Sequence, residues 1–241
     1  NALSTEMLGE IKTVFEAIAA DDTVKGVIVT APGEKFFVAG ADINGFLALD
    51  GMQGRAASKF AQSCFQAIED LEKPVIAAVN GYALGGGNEI AMACDIRIAS
   101  TKAIFGQPEV NLGIMPCFGG TQRLTRLVGA GIAKELMFTA RNVTADEAYR
   151  IGLVNAVYPQ EELMDAAKKM ASGIAKNAPI AVRNCKKAIN EGLQVNMDEA
   201  IVIEEKLFGD CFETEDQKAG MGNFLEKDKE KKLKVVPFKN C

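Results

Sequence analysis

"KPVIAAVNGYALGGGNEIAMACDIRIAS", residues 73–100, decides the fold of this chain. It opens as a buried strand entered through Pro74, breaks at Asn80-Gly81, and passes three consecutive glycines into an apolar helix. It closes on a second short strand, "DIRIAS". Strand, helix and strand in succession mean an α/β protein, and the flanks agree. Residues 4–20 repeat apolar positions at helical spacing behind Ser4 or Thr5 as N-cap. "VKGVIVTA" (24–31) reads as a strand, 55–72 as a helix, and 103–106 and 153–158 as further strands. From about residue 160 only helices are expected, at 160–176, 179–192, 197–213 and 215–229. No repeat of fixed period is visible. The charged run "EKDKEKKLK" (226–234) reads as a solvated end.

The composition excludes whole classes of chemistry. With 241 residues, 48% of them hydrophobic, the chain can bury one large core or a core with an appended domain. Its apolar runs are far shorter than the roughly 20 residues of a membrane helix. A net charge of −5 argues against a general nucleic-acid surface. The six cysteines form no C-x-x-C pair and are too sparse for a disulfide scaffold, so a reducing cytoplasm is expected. The absence of histidine removes Ser-His-Asp and Cys-His nucleophiles and histidine-bound metals. Any catalysis must rest mainly on carboxylates and backbone dipoles.

The glycines do not cradle a phosphate. A Walker loop would need lysine and a hydroxyl residue after Gly86, where Gly87 and Asn88 stand, and a dinucleotide fingerprint fails because Ile90 occupies the third glycine position. Two readings remain. Gly85-Gly86-Gly87 could expose the unpaired N–H groups of a helix start to a developing oxyanion, or could be a bend that lets strand and helix pack closely. Glu89 favours the first, since it sits in a helix that is apolar on every side and a buried carboxylate is costly unless used. Glu109 is a second acid in apolar surroundings, after Pro108 and before the pair Gly119-Gly120, which opens a helix at Thr121. Two such carboxylates could activate a water and move a proton. "FFVAGADI" (36–43) breaks into Ala39-Gly40-Ala41-Asp42 and could give a second backbone donor.

"FFVAGADI", "AVNGYALGGGNEIAMACDIRIAS", "FGQPEVNLGIMPCFGGTQRLTRLVG" and "TADEAYRIGLVN" (144–155) together resemble the crotonase superfamily, specifically its short-chain enoyl-CoA hydratases. The resemblance runs from residue 1 to about 230. It implies a ββα spiral core with the active site over 1–180, then a C-terminal helical trimerisation region over 181–241. It implies an acyl-CoA thioester as substrate, water added reversibly and syn to a short trans-2-enoyl-CoA, and a homo-oligomer, a trimer or dimer of trimers. Neither a metal nor a separate cofactor is implied, coenzyme A being part of the substrate, and no nucleic-acid or membrane partner.

Carried over by position, Ala41 and Gly86 would form the oxyanion hole, Glu89 would be the more base-like acid and Glu109 the acid toward C2. Lys35 to Ala39 would line the adenine pocket. Asp42, Ile43, Cys117 and Phe118 would border the substrate, and Phe224 and Lys227, in the final helix, would reach a neighbouring subunit's CoA. Two departures stand out. The chain begins at "NALSTE", so a first strand and part of the CoA site are expected to be missing. Cys117 replaces a glycine of the family: it would be strained at positive φ, and otherwise would narrow the acyl pocket with Phe118. An isomerase or another CoA-thioester lyase of the same fold stays open, as does a non-catalytic scaffold or RNA-binding member.

Overall fold

The computed structural model describes residues 1–239, and Cys241 lies outside the described residues. Helix α1 (Thr5–Ala20) starts where the sequence places it, with Ser4 Oγ accepting the Met7 N–H at 3.1 Å. Two strands, β1 (Val27–Val29) and β2 (Phe36–Val38), then precede α2 (Gly51–Glu69). The pattern returns as β3 (Val75–Val79), β4 (Tyr82–Leu84) and α3 (Gly86–Ala93). It returns again as β5 (Ile96–Ser100) and β6 (Ile104–Gly106), followed by a 3-10 turn (Glu109–Leu112), α4 (Gly120–Val128) and α5 (Ala130–Thr139). The chain continues through β7 (Val143–Thr144), α6 (Ala145–Arg150), β8 (Ala156–Tyr158) and α7 (Leu163–Ile174).

Each ββα turn adds one strand to each of two sheets. One sheet has the order β1-β3-β5-β8 and the other β2-β4-β6-β7. The pairs β3–β5, β5–β8, β2–β4 and β4–β6 are parallel, and β7 closes the second sheet antiparallel to β6. The repetition escapes a search for a period because the first strands of successive turns begin at Val27, Val75 and Ile96, which are unevenly spaced. Sequence reading ran from the break at Asn80-Gly81 into the helix and placed no strand at Tyr82–Leu84. The segment is a strand because Tyr82 and its neighbours pair with β6 on one side and β2 on the other, contacts remote in sequence.

The chain divides into two compact units. The first comprises 1–21, 28–71 and 75–168, and the second 22–27, 72–74 and the chain from Lys169. In the first, every residue of β3 and of α3 is buried, so the segment quoted at the outset forms the centre of that unit. The second is built on α8 (Pro179–Gly192), α9 (Met197–Phe212) and α10 (Glu215–Leu225). There Asn184 Nδ2 donates to Leu207 O at 2.9 Å, and α9 leaves Met197, Ile201, Val202 and Phe208 exposed. The last helix ends earlier than expected, at Leu225. Glu226 is extended at ψ 121°, because the charged run beyond it offers nothing to bury, and Lys227 therefore lies past the helix. Helix α2 begins earlier than expected, at a capping box in which Asp50 and Gln53 bond each other's backbone N–H. No helix among the described residues is long and apolar enough to cross a membrane.

Gly87 sets the approach of α3 to β2: a Cβ there would overlap the carbonyl of Val38. Gly87→Ala is therefore expected to cost about 2–3 kcal/mol, a Tm loss of roughly 5–10 °C in a thermal melt. Gly54→Ala is the control. It lies inside α2 with nothing within 4 Å of its Cβ position, and should raise stability by about 0.5–1 kcal/mol.

Candidate active site

The three glycines of the opening segment have three separate tasks. Gly85 takes φ 51° and ψ −121° to turn β4 into α3, and a Cβ on it would stand 2.6 Å from Glu109 Oε1. Gly86 is the first residue of α3, where an N–H has no intrahelical partner. Gly87 is bare for the packing reason given above. The packing reading of the glycines therefore holds at Gly87, while Gly86 leaves a helix-start N–H without an intrahelical partner. A second unpaired N–H comes from Ala41. The parallel bridge between Leu3 and Ala41 is made by Leu3 N–H to Gly40 O and Asp42 N–H to Leu3 O, each 2.9 Å, which leaves the Ala41 N–H on the far side. Among the described residues, neither the Ala41 nor the Gly86 N–H donates to a protein acceptor.

Glu89 is only 2% exposed. It lies in the first turn of α3, and its Oε1 accepts the Phe118 N–H at 2.8 Å and the Gly120 N–H at 2.7 Å. Burial raises its pKa above the ordinary carboxylate range, while those two donors and the charge of Arg123 act the other way. The pair Gly119-Gly120 exists for this contact. Gly119, at φ 102°, turns the chain, and Gly120 has no Cβ where one would come within 2.7 Å of Glu89 Oε1.

Glu109 begins the 3-10 turn after Pro108. Burial lifts its pKa to about 7; its own backbone N–H opposes the rise and the charge of Glu89 adds to it. Gln107 is 1% exposed beside it, and with its amide nitrogen turned to Glu109 it donates to both carboxylate oxygens at 3.0 and 3.1 Å. Sequence reading passed over Gln107. Its signal was present: a polar residue directly after the apolar β6 must find a buried partner.

One cavity of about 200 Å³ joins these groups. Ala39, Ala41, Ile43, Gly86, Glu89, Glu109, Cys117 and Phe118 line it, together with Phe46, Leu112 and Ile114. Its rim thus presents two backbone donors and two carboxylates within an otherwise apolar wall. Cys117 is free of the strain considered above, since Ala140 is the one non-glycine residue at positive φ among those described. Burial and the nearby Glu89 push its thiol up to about 11, so it stays protonated. Lys35 and Asp42 do not line this cavity. Lys35 sets its Nζ over the Phe36 ring at 5.2 Å and its carbonyl accepts the Tyr82 N–H at 3.0 Å. Asp42 caps the short turn after it, accepting the Asn44 N–H at 3.1 Å. Phe224 and Lys227 belong to the second unit, where Lys232 Nζ lies 5.5 Å from the Phe224 ring centre.

A family model described as enoyl-CoA hydratase/isomerase matches residues 1–232. A short-chain-enoyl-CoA hydratase of Clostridium acetobutylicum is 56% identical over 240 residues, covering 100% of this chain and 90% of the relative. A crotonyl-CoA hydratase of Syntrophomonas wolfei is 55% identical over 229 residues, covering 95% and 88%. The crystal structure of an enoyl-CoA hydratase from Bacillus anthracis superposes with a TM-score of 0.92 at 40% identity, covering 100% of this chain and 91% of that one.

The elevated Glu109 has a consequence for stability. Folded, the group holds its proton up to about 7; unfolded, it would ionise nearer its ordinary value of 4.5. Stability from this group is complete below the unfolded value and is lost as pH rises through about 7. Thermal melts should therefore find Glu109→Gln equal to wild type near pH 4 and more stable than wild type well above pH 7. Equal Tm differences at both pH values would show that burial does not hold the proton.

Proposed function

The chain belongs to the enoyl-CoA hydratase/isomerase family, and we infer that it is a short-chain enoyl-CoA hydratase, adding water across the C2–C3 double bond of crotonyl-CoA. The observation that carries the mechanism is a cavity lined both by Ala41 and Gly86, whose N–H groups are unpaired among the described residues, and by Glu89 and Glu109. The thioester oxygen accepts from Ala41 and Gly86, and Gly86 adds the positive end of the α3 dipole. Charge moving onto that oxygen makes C3 electrophilic. Glu89, whose N–H donors favour its anion, takes a proton from water as the oxygen bonds to C3. Glu109, which holds its proton to about 7, delivers it to C2. Both acids line the same cavity, and acting from one side of the substrate they deliver the hydroxyl and the hydrogen to the same face. Ile43, Cys117 and Phe118 limit the acyl end, and running the assay across acyl lengths with Cys117→Gly reads their share.

The reading extends to assembly. Exposed Val202 and Phe208 on α9 and Phe224 at the end of α10 support a trimer or dimer of trimers, in which Phe224 and Lys227 of one copy border the CoA of another. The cysteines of the described residues are thiols rather than disulfides, which supports a reducing cytoplasm. Light scattering reads the assembly, and Lys227→Ala should raise KM for crotonyl-CoA with little change in kcat.

The decisive measurement is the fall of conjugated-thioester absorbance on adding crotonyl-CoA. Glu89→Gln and Glu109→Gln should each lower kcat by about 10²–10⁴-fold while acyl-CoA still binds. Full turnover in either variant refutes the assignment, and migration of the double bond without water addition would make the protein an isomerase.

A further inference from the structure

One face of α2 carries Ser58, Gln62, Phe65 and Glu69, spaced four, three and four residues apart, and all four reach the segment 117–123. Ser58 Oγ and Gln62 Nε2 donate to Cys117 O at 2.7 and 2.8 Å. Phe65 meets Phe118 edge-on at 5.8 Å between ring centres. Glu69 Oε2 accepts from Arg123 Nη2 at 2.6 Å and from Nε at 3.2 Å. Arg123 then turns back, its Nη1 donating to Phe118 O at 3.0 Å. Gly119 makes room for this, since a Cβ there would overlap the guanidinium. The peptide so held is the one whose next donors, the Phe118 and Gly120 N–H groups, bond Glu89.

We propose that Arg123, braced by Glu69, is a positioning residue for the hydration step: it fixes the 117–120 loop so that two N–H groups stay on Glu89, and sets a positive charge where it favours the ionised base. This rests on the functional reading above. The groups bearing on Glu89 are few. Helix α4 supplies Arg123, the 109–112 turn supplies Glu109, and the 117–120 loop supplies the Cys117 thiol, while Glu69 of α2 stands behind Arg123. Strand β2, Phe36–Val38, has no ionisable side chain, and Tyr82 of β4 packs on Phe36. Glu109 and Cys117 disfavour the Glu89 anion or are indifferent to it when neutral. Arg123 alone among them attracts it.

A merely structural arginine and a positioning one differ in the pH profile. The test records kcat and KM for crotonyl-CoA hydration from roughly pH 5 to pH 10, with thermal melts, in wild type, Arg123→Met and Arg123→Lys. In Arg123→Met, kcat falls about 10- to 100-fold with KM little changed. Its acid limb moves to higher pH, because Glu89 has lost the charge that favours its anion. Arg123→Lys keeps the charge, so its acid limb stays, but one ammonium cannot hold Phe118 O and Glu69 together, and kcat falls. An unmoved acid limb in Arg123→Met, or wild-type kcat in Arg123→Lys, overturns the proposal. If Arg123→Met does not fold, the Arg123→Lys result decides. A wild-type enzyme without hydratase activity overturns instead the functional reading beneath it.

Discussion

A buried carboxylate held by two backbone N–H groups is the constraint on which the rest of this structure depends. Glu89 lies at 2% exposure in a helix whose every residue is buried, where an unpartnered charge would cost several kcal/mol. Two charge-assisted hydrogen bonds, each worth about 1.5–3 kcal/mol, offset much of that cost. They require the 117–120 loop to lie against α3, and that loop stays there because α2 grips it at Cys117, Phe118 and Arg123. Three ββα turns are thereby tied to one oxygen atom. Helix α2 comes from the first, Glu89 from the second, and the loop from the third.

The same arrangement gives two chemically identical side chains different surroundings. Both glutamates are pushed toward neutrality by burial; two backbone donors and Arg123 oppose the push at Glu89, while at Glu109 its own N–H opposes it and the charge of Glu89 reinforces it. Interacting acids titrate as a pair, and the proposed mechanism has the two share one proton, placed on Glu109 with Glu89 ionised. On that proposal an acid and a base coexist at neutral pH in a chain that has no histidine.

The sequence was informative wherever local physics governs. Ser4 announced α1, the apolar run 75–79 announced a buried strand, and the all-round apolar character of 90–94 marked Glu89 as buried. Glu109, Gly85 and Gly86 were legible as types, and the cavity contains them. Other features left no local trace. Tyr82–Leu84 is a strand only because two distant strands flank it. Arg123 looks like any helical arginine until its contacts with Glu69 and Phe118 are seen. Asp42, placed beside the substrate by the resemblance alone, has a carboxylate that caps its own turn, a preference short acidic side chains often satisfy and one the sequence did not announce.

By itself the sequence determined the alternation of strands and helices, the absence of histidine chemistry, and the residue types that a hydrating site needs. These follow from periodicity, composition and the cost of a charge among apolar neighbours, all of which act over a few residues. Tertiary structure decided which N–H groups remain unpaired, which glycine turns the chain, starts the helix or merely makes room, and what surrounds each buried acid. Those outcomes depend on atoms far apart along the chain, such as Val38 against Gly87 and Arg123 against Phe118, and a folded backbone alone brings them together.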